Sequence, residues 1–223
     1  MKKTTILALA SILVIGLVAC TTMHTGAMQF CTDGLAKLNS RNEHHYLSYT
    51  LEGSSNSSHT VRKGETKYWI SGENWMSYNE LYNYYSLTVR NERYHAVVDE
   101  TGNMIWEPSN DSTDAPSPIP ELDLSAYHVK ADEVKNGVRT IILNYEESPK
   151  NGSQSTTIYQ VEFQFMDNVI KEYRYSKQIS FPSAEGDDRS IFYTNIMEFY
   201  ELPNGKVSET IQSNYEAALS QNE

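Results

Sequence analysis

The chain reads as an α+β protein: one large antiparallel sheet bracketed by an N-terminal and a C-terminal helix. Three observations predict this. Apolar residues recur at helical spacing near both ends, at Phe30, Cys31, Leu35 and Leu38 and again at Val207, Ile211, Tyr215 and Leu219. Between them lie short runs that alternate apolar and polar residues, the period of a strand. Short turn sequences such as Asn136-Gly137 separate those runs, and short loops favour pairing between sequential strands.

The first element is not part of that domain. Lys2 and Lys3 precede an apolar run from Ile6 to Ala19, closed by Leu17-Val18-Ala19-Cys20. A run of 14 residues falls short of the roughly 20 that a membrane span needs, and a basic start with small residues at the end is the secretory pattern. The segment resembles the signal peptide and lipobox of bacterial lipoproteins. That resemblance implies cleavage before Cys20, lipidation of Cys20 with acyl chains such as palmitate, and attachment to the extracytoplasmic face of the cell membrane, or to an outer membrane in a host that has two. It divides the chain into a signal peptide (1–19), a lipidated tether (20–27) and a single α+β domain (28–223).

Removing residues 1–19 takes away two lysines and no acid, so the formal charge moves from −11 to −13 over 204 residues. That length suits one domain, and that charge repels nucleic acid and anionic head groups. Attachment to a membrane then comes from the lipid on Cys20. With Cys20 lipidated, Cys31 has no disulfide partner and reads as a small buried hydrophobe.

After the polar tether, helical spacing predicts a helix over 28–41, weakened by Gly34. Strand periodicity follows. Residues 45–52 alternate, with Leu47, Tyr49 and Leu51 on one face; 59–62 and 67–71 read as two further runs, with Tyr68 and Ile70 opposite Lys67 and Trp69. Trp75-Met76, 84–90, 94–98 and 103–107 come next, the last two flanking an Asp99–Gly102 turn. Residues 108–120 form a Pro-rich polar loop, read as a flap or a crossing connection. Strands are then expected at 127–133, 138–146, 156–166, 169–176 and 190–201, giving nine to eleven in all. Pro203-Asn204-Gly205 precedes the terminal helix. The expectation is a sheet that packs one face against helices.

The helix ending at Leu38-Asn39-Ser40, the strand Tyr46-Leu47-Ser48-Tyr49-Thr50-Leu51-Glu52 and the strand Lys67-Tyr68-Trp69-Ile70 resemble the lipoprotein-sorting proteins LolA and LolB and the mycobacterial lipoprotein LppX. The resemblance covers roughly residues 28–202. It implies a strongly curved half-barrel whose concave face is plugged by helices and holds acyl chains. The C-terminal helix and the Tyr-rich stretch 78–85 depart from that pattern.

Catalytic motifs are scarce. The chain has no Gly-x-Ser-x-Gly elbow, phosphate-binding glycine loop or His-Glu-x-x-His pair, and the reading is a non-enzyme without cofactor or metal. Adjacent His44 and His45 point to opposite faces of a strand, poor geometry for one metal. Asp111 and Asp114 lack the ligand density of a calcium loop. Glu185, Asp187 and Asp188 supply acids without a defined separation.

Sixteen tyrosines are the compositional oddity. Trp69, Trp75 and Trp106, with Tyr78, Tyr82, Tyr84 and Tyr85, mark the richest aromatic region. Three readings of it stay open: sheet core with cross-strand pairs, the lining of an apolar pocket, or a platform for sugar or peptide. Tyr68, Trp69, Trp75, Tyr84 and Trp106 are the candidate ligand-binding residues. The expected function is non-catalytic binding of a hydrophobic or amphipathic ligand, a lipid or a lipoprotein intermediate. The alternative is an envelope adaptor or glycan/peptide-binding module with an envelope-protein partner.

Overall fold

A computed structural model describes residues 26–54, 60–110, 116, 122–147, 155–181 and 189–222. Cys20, the signal peptide, His24, His59, Asp111, Asp114, Glu185, Asp187 and Asp188 therefore lie outside the described residues.

The helix expected over 28–41 runs over 26–39 and is α1. Its buried stripe is Ala27, Cys31, Gly34 and Leu38, a helical repeat of four, three and four residues. Gly34 has a packing role: a Cβ there would lie 2.6 Å from Cε1 of the buried Phe165. Alanine gains about 1 kcal/mol of helix propensity over glycine, but overpacking costs about 1–3 kcal/mol. Gly34→Ala is therefore expected to lose about 1 kcal/mol net in urea unfolding, opposite in sign to propensity alone. Cys31 is buried and unpaired, and burial pushes its thiol up to about 12. It behaves as the small hydrophobe the sequence suggested.

Among the described residues eleven strands follow α1: β1 (Glu43–Ser54), β2 (Val61–Ser71), β3 (Asn74–Asn79), β4 (Tyr84–Val89), β5 (Glu92–Val98), β6 (Met104–Pro108), β7 (His128–Lys135), β8 (Val138–Glu147), β9 (Thr156–Met166), β10 (Val169–Phe181) and β11 (Arg189–Phe199). Helix α2 (Lys206–Asn222) ends the chain. The runs expected at 59–62 and 67–71 are one strand, β2. A bulge opposite Ser48–Thr50, with Gly64 at φ +65°, carries β2 through its polar middle. Asn136-Gly137 turns between β7 and β8 with both residues at positive φ (53° and 79°), the conformation a tight hairpin requires.

All eleven strands form one antiparallel sheet in the order β6-β5-β4-β3-β2-β1-β11-β10-β9-β8-β7, and it is not closed. It consists of two meanders, β1–β6 and β7–β11, joined where β1 pairs with β11. Strands β6 and β7 are consecutive in the chain yet occupy the two edges. The Pro-rich connection thus joins the two edge strands in sequence. At its far end Leu122, Leu124 and Tyr127 pack into the core beneath α1.

The expectation that helices cover one face is corrected. Successive strand residues face opposite ways, and neighbours Trp75 and Met76 belong to different cores. Trp75 joins Tyr46, Ile70, Phe163, Phe165 and the α1 residues Ala27, Cys31 and Leu38. Met76 joins Leu87, Ala96, Trp106 and the α2 residues Val207, Ile211, Tyr215 and Ala218. Helix α1 therefore covers one face toward β8–β10, and α2 covers the opposite face over β2–β6. The cause is connectivity. One helix enters β1 and the other leaves β11, two adjacent central strands, so each can take its own face. Leu219 was expected on the buried side of α2 but is 36 % exposed, with Ala218 in its place.

Side chains clamp α2 at both ends. Glu43, at the start of β1, accepts hydrogen bonds from the backbone N–H of Gly205 (3.0 Å) and Ser208 (3.2 Å) and from the Ser208 hydroxyl. These bonds, led by the hydroxyl, hold its carboxyl below the usual range, as expected for a helix N-terminal cap. At the other end Gln221 accepts from the Trp106 N–H (2.8 Å) and donates to the Met104 carbonyl (3.1 Å), while Asn222 donates to the Trp106 carbonyl (3.0 Å). The outer rim of edge strand β6 is thereby occupied, which blunts pairing with another chain.

Candidate functional site

The five aromatic residues singled out in the sequence do not converge. Trp75 lies in the core under α1, while Trp106 lies in the core under α2 at 2 % exposure. Tyr68 stacks on Tyr46 (4.9 Å) on the α1 face; Trp69 stacks on His45 (4.8 Å) on the α2 face. Tyr84 stacks on His95 (5.8 Å). Cross-strand pairing and core filling account for these contacts, the first of the three readings.

A different aromatic group does converge. On the α1 face, Tyr145 of β8 and Tyr159 of β9 are direct cross-strand partners with ring centroids 5.8 Å apart. Tyr175 of β10 continues the row at 6.3 Å, and Tyr127 closes its other end 5.8 Å from Tyr145. Local structure places Tyr127. Asp123 caps a short 3-10 turn (Leu124–Ala126) by accepting from the Ser125 N–H at 2.9 Å. Buried Leu124 anchors that turn, and its carbonyl accepts from the Tyr127 N–H at 3.0 Å.

The chemistry of this row lies in its hydroxyls. Burial, then the neighbouring Tyr175, Tyr159 and Tyr145, push the Tyr127 hydroxyl up to about 12. Burial also raises Tyr175, with Tyr159 adding to it. Two residues from Tyr175, on the same face of β10, sits Tyr173, 1 % exposed, its hydroxyl pushed far up by burial and by Tyr127 and Tyr175. That buried hydroxyl has no hydrogen-bond partner among the described residues. At neutral pH Tyr127, Tyr173 and Tyr175 are protonated donors walled by aromatic carbon. Tyr159 donates to Glu147 (3.3 Å), and Lys177 Nζ lies 5.7 Å from the Tyr159 ring. A cleft of about 340 Å³ opens beside Tyr127, lined by Met28, Tyr127, His128 and Val129. Apolar walls with a few aimed polar groups are the usual make-up of a small-ligand site.

A larger cleft, about 440 Å³, lies where α1 ends and α2 begins, lined by Arg41, Glu43, His45, Tyr200 and Glu201 among others. Its charged groups are already committed. Glu43 caps α2, Glu201 pairs with Lys171 (2.9 Å) and Arg41 (3.8 Å), and Tyr200 donates to Glu198 (3.0 Å). His45 Nδ1 lies 2.9 Å from the Tyr68 carbonyl. A carbonyl only accepts, so Nδ1 carries the proton in the neutral ring. These contacts hold the sheet centre together.

His44, on the opposite face, is buried with its Nδ1 unpartnered among the described residues. Burial lowers the pKa of both His44 and His45. The unfolded chain therefore binds protons that the native state resists. The stability involved is complete above the ordinary histidine range and is lost as pH falls through it toward the lower folded values. Chemical unfolding should show stability decreasing from about pH 7 to pH 5, with a weaker slope in His44→Leu.

Sequence reasoning missed Tyr127, Tyr145, Tyr159, Tyr173 and Tyr175. The usable signal was Tyr173-x-Tyr175, two tyrosines on one strand face, opposite a strand carrying Tyr159. Comparison with models of known protein families and with curated proteins finds no significant match. No described helix is long and apolar enough to cross a membrane.

Proposed function

We propose that the chain is an extracytoplasmic lipoprotein, anchored through Cys20, that binds an amphipathic ligand non-catalytically at the tyrosine row. One observation carries the ligand reading: a fully buried phenol, Tyr173, lacks a partner among the described residues beside Tyr127 and Tyr175 of the row. Leaving such a donor unpaired costs about 1–3 kcal/mol, and a ligand with an acceptor oxygen and an apolar body satisfies both the hydroxyl and the rings. The basic start, short apolar run and Leu17-Val18-Ala19-Cys20 support the anchor.

The half-barrel likeness to LolA, LolB and LppX belongs to the same proposal. It is supported by an N-terminal helix laid over one face of a long antiparallel sheet. The placement of α2 on the other face sets this chain apart from a sheet plugged on one side only. A filled core under each helix favours a ligand held at the open tyrosine row over acyl chains enclosed beneath both helices.

The test is native mass spectrometry of residues 21–223, purified without detergent and then extracted with solvent. A reproducible adduct that extracts as an amphiphile is the expected result. A clean apo mass that takes up no added lipid or glycolipid would overturn the ligand reading.

A further inference from the structure

Resting on the lipid-anchor reading, we infer that the Tyr127 end of the domain docks on a zwitterionic bilayer, so that the tyrosine row opens at the membrane interface. Chain length is the first argument. From Cys20 to Gly26 there are six steps along the chain, which reach at most about 20 Å when fully extended. The second is where that reach ends. Ala27 is buried in the core under α1, and Met28 lines the cleft with Tyr127, His128 and Val129 at edge strand β7. The anchor is therefore held close to this edge, with β6 at the opposite edge of the eleven-stranded sheet. The third is surface chemistry. Tyr127 itself is buried, while Tyr145, Tyr159 and Tyr175 beside it are half-buried, and half-buried tyrosines suit the interfacial zone, where an amphipathic ring meets both carbon and water. The domain's charge of −13 after cleavage disfavours anionic head groups and selects a zwitterionic surface. A ligand entering the row then comes from the bilayer to which the protein is tied.

The full mature protein, lipidated at Cys20, allows a direct test in phosphatidylcholine vesicles. Cys31 is buried, and burial holds its thiol in the protonated form, which makes it a poor nucleophile, so a single added exposed cysteine takes a fluorophore selectively. His128→Cys places it on β7 beside the cleft; Glu100→Cys places it in the exposed β5–β6 turn at the far edge. Quenching by nitroxide-bearing phosphatidylcholine is the readout. The expected result is several-fold stronger quenching at 128 than at 100. Retention on vesicles with equal quenching at both positions overturns the docking and leaves the anchor standing. Failure of the mature protein to stay on vesicles overturns the anchor and the docking together. The native-mass experiment on residues 21–223 reads ligand binding separately, since that protein has no anchor.

Discussion

Replacing Trp106 with alanine should cost about 3–5 kcal/mol of stability, the range for emptying a fully buried tryptophan site. Three features of this residue place it there. Its side chain is 2 % exposed in the core that α2 shares with Met76, Leu87, Val89 and Ala96. Its ring lies 6.2 Å from that of Tyr85. Its backbone N–H and carbonyl are the groups to which Gln221 and Asn222 bind, so any shift of β6 after the ring is lost also loosens the end of α2. Denaturant unfolding should show the loss, and hydrogen exchange should locate it, with faster exchange in α2 and β4–β6 and little change in β8–β10. Ligand uptake at the tyrosine row should persist in whatever fraction remains folded. The reverse outcome, intact stability with ligand binding lost, would return Trp106 to the role the sequence suggested.

The contrast between Trp106 and the tyrosine row shows how far a sequence without register can be read. Both helices were legible, because Cys31 and Leu38 or Val207, Ile211 and Tyr215 repeat with a helical period that few other structures produce. The β7–β8 hairpin was legible because Asn136-Gly137 accepts two positive φ angles in succession. The side of the sheet taken by each helix was not. Around β2 and β3 both faces are covered, so Tyr68 and Ile70 alternate with Trp69, and Trp75 adjoins Met76. Alternation then loses its contrast, as it does wherever a strand is buried on both sides. The bend at Gly64 split β2 into two apparent runs for a related reason: the polar stretch Arg62–Glu65 carries no apolar period. The site was the least legible part. Tyr145, Tyr159 and Tyr175 are ordinary strand residues until two strand registers bring them side by side, and a one-residue slip in either register would send one ring to the other face.

Tyr173→Phe gives the sharpest test of that site because it should move two quantities in opposite directions. The change deletes one oxygen and keeps the ring, which packs 5.4 Å from Phe163. Without ligand, the native hydroxyl is a buried donor with no partner among the described residues, so its removal should raise stability by about 1 kcal/mol. With the proposed ligand bound, the same hydroxyl would donate to an acceptor held beside Tyr127 and Tyr175. Its loss should then weaken affinity about tenfold, the equivalent of about 1.4 kcal/mol. A structural tyrosine would behave otherwise. Had buried water already satisfied the hydroxyl, the variant would be less stable in the apo form and its affinity would be unchanged, and the argument for a ligand at the tyrosine row would fall with that result. Thermal unfolding of the delipidated domain, paired with titration of the extracted amphiphile, reads both quantities. The opposing signs are what a site built to pair a stranded donor requires, since the free energy withheld in the empty state is recovered only on binding.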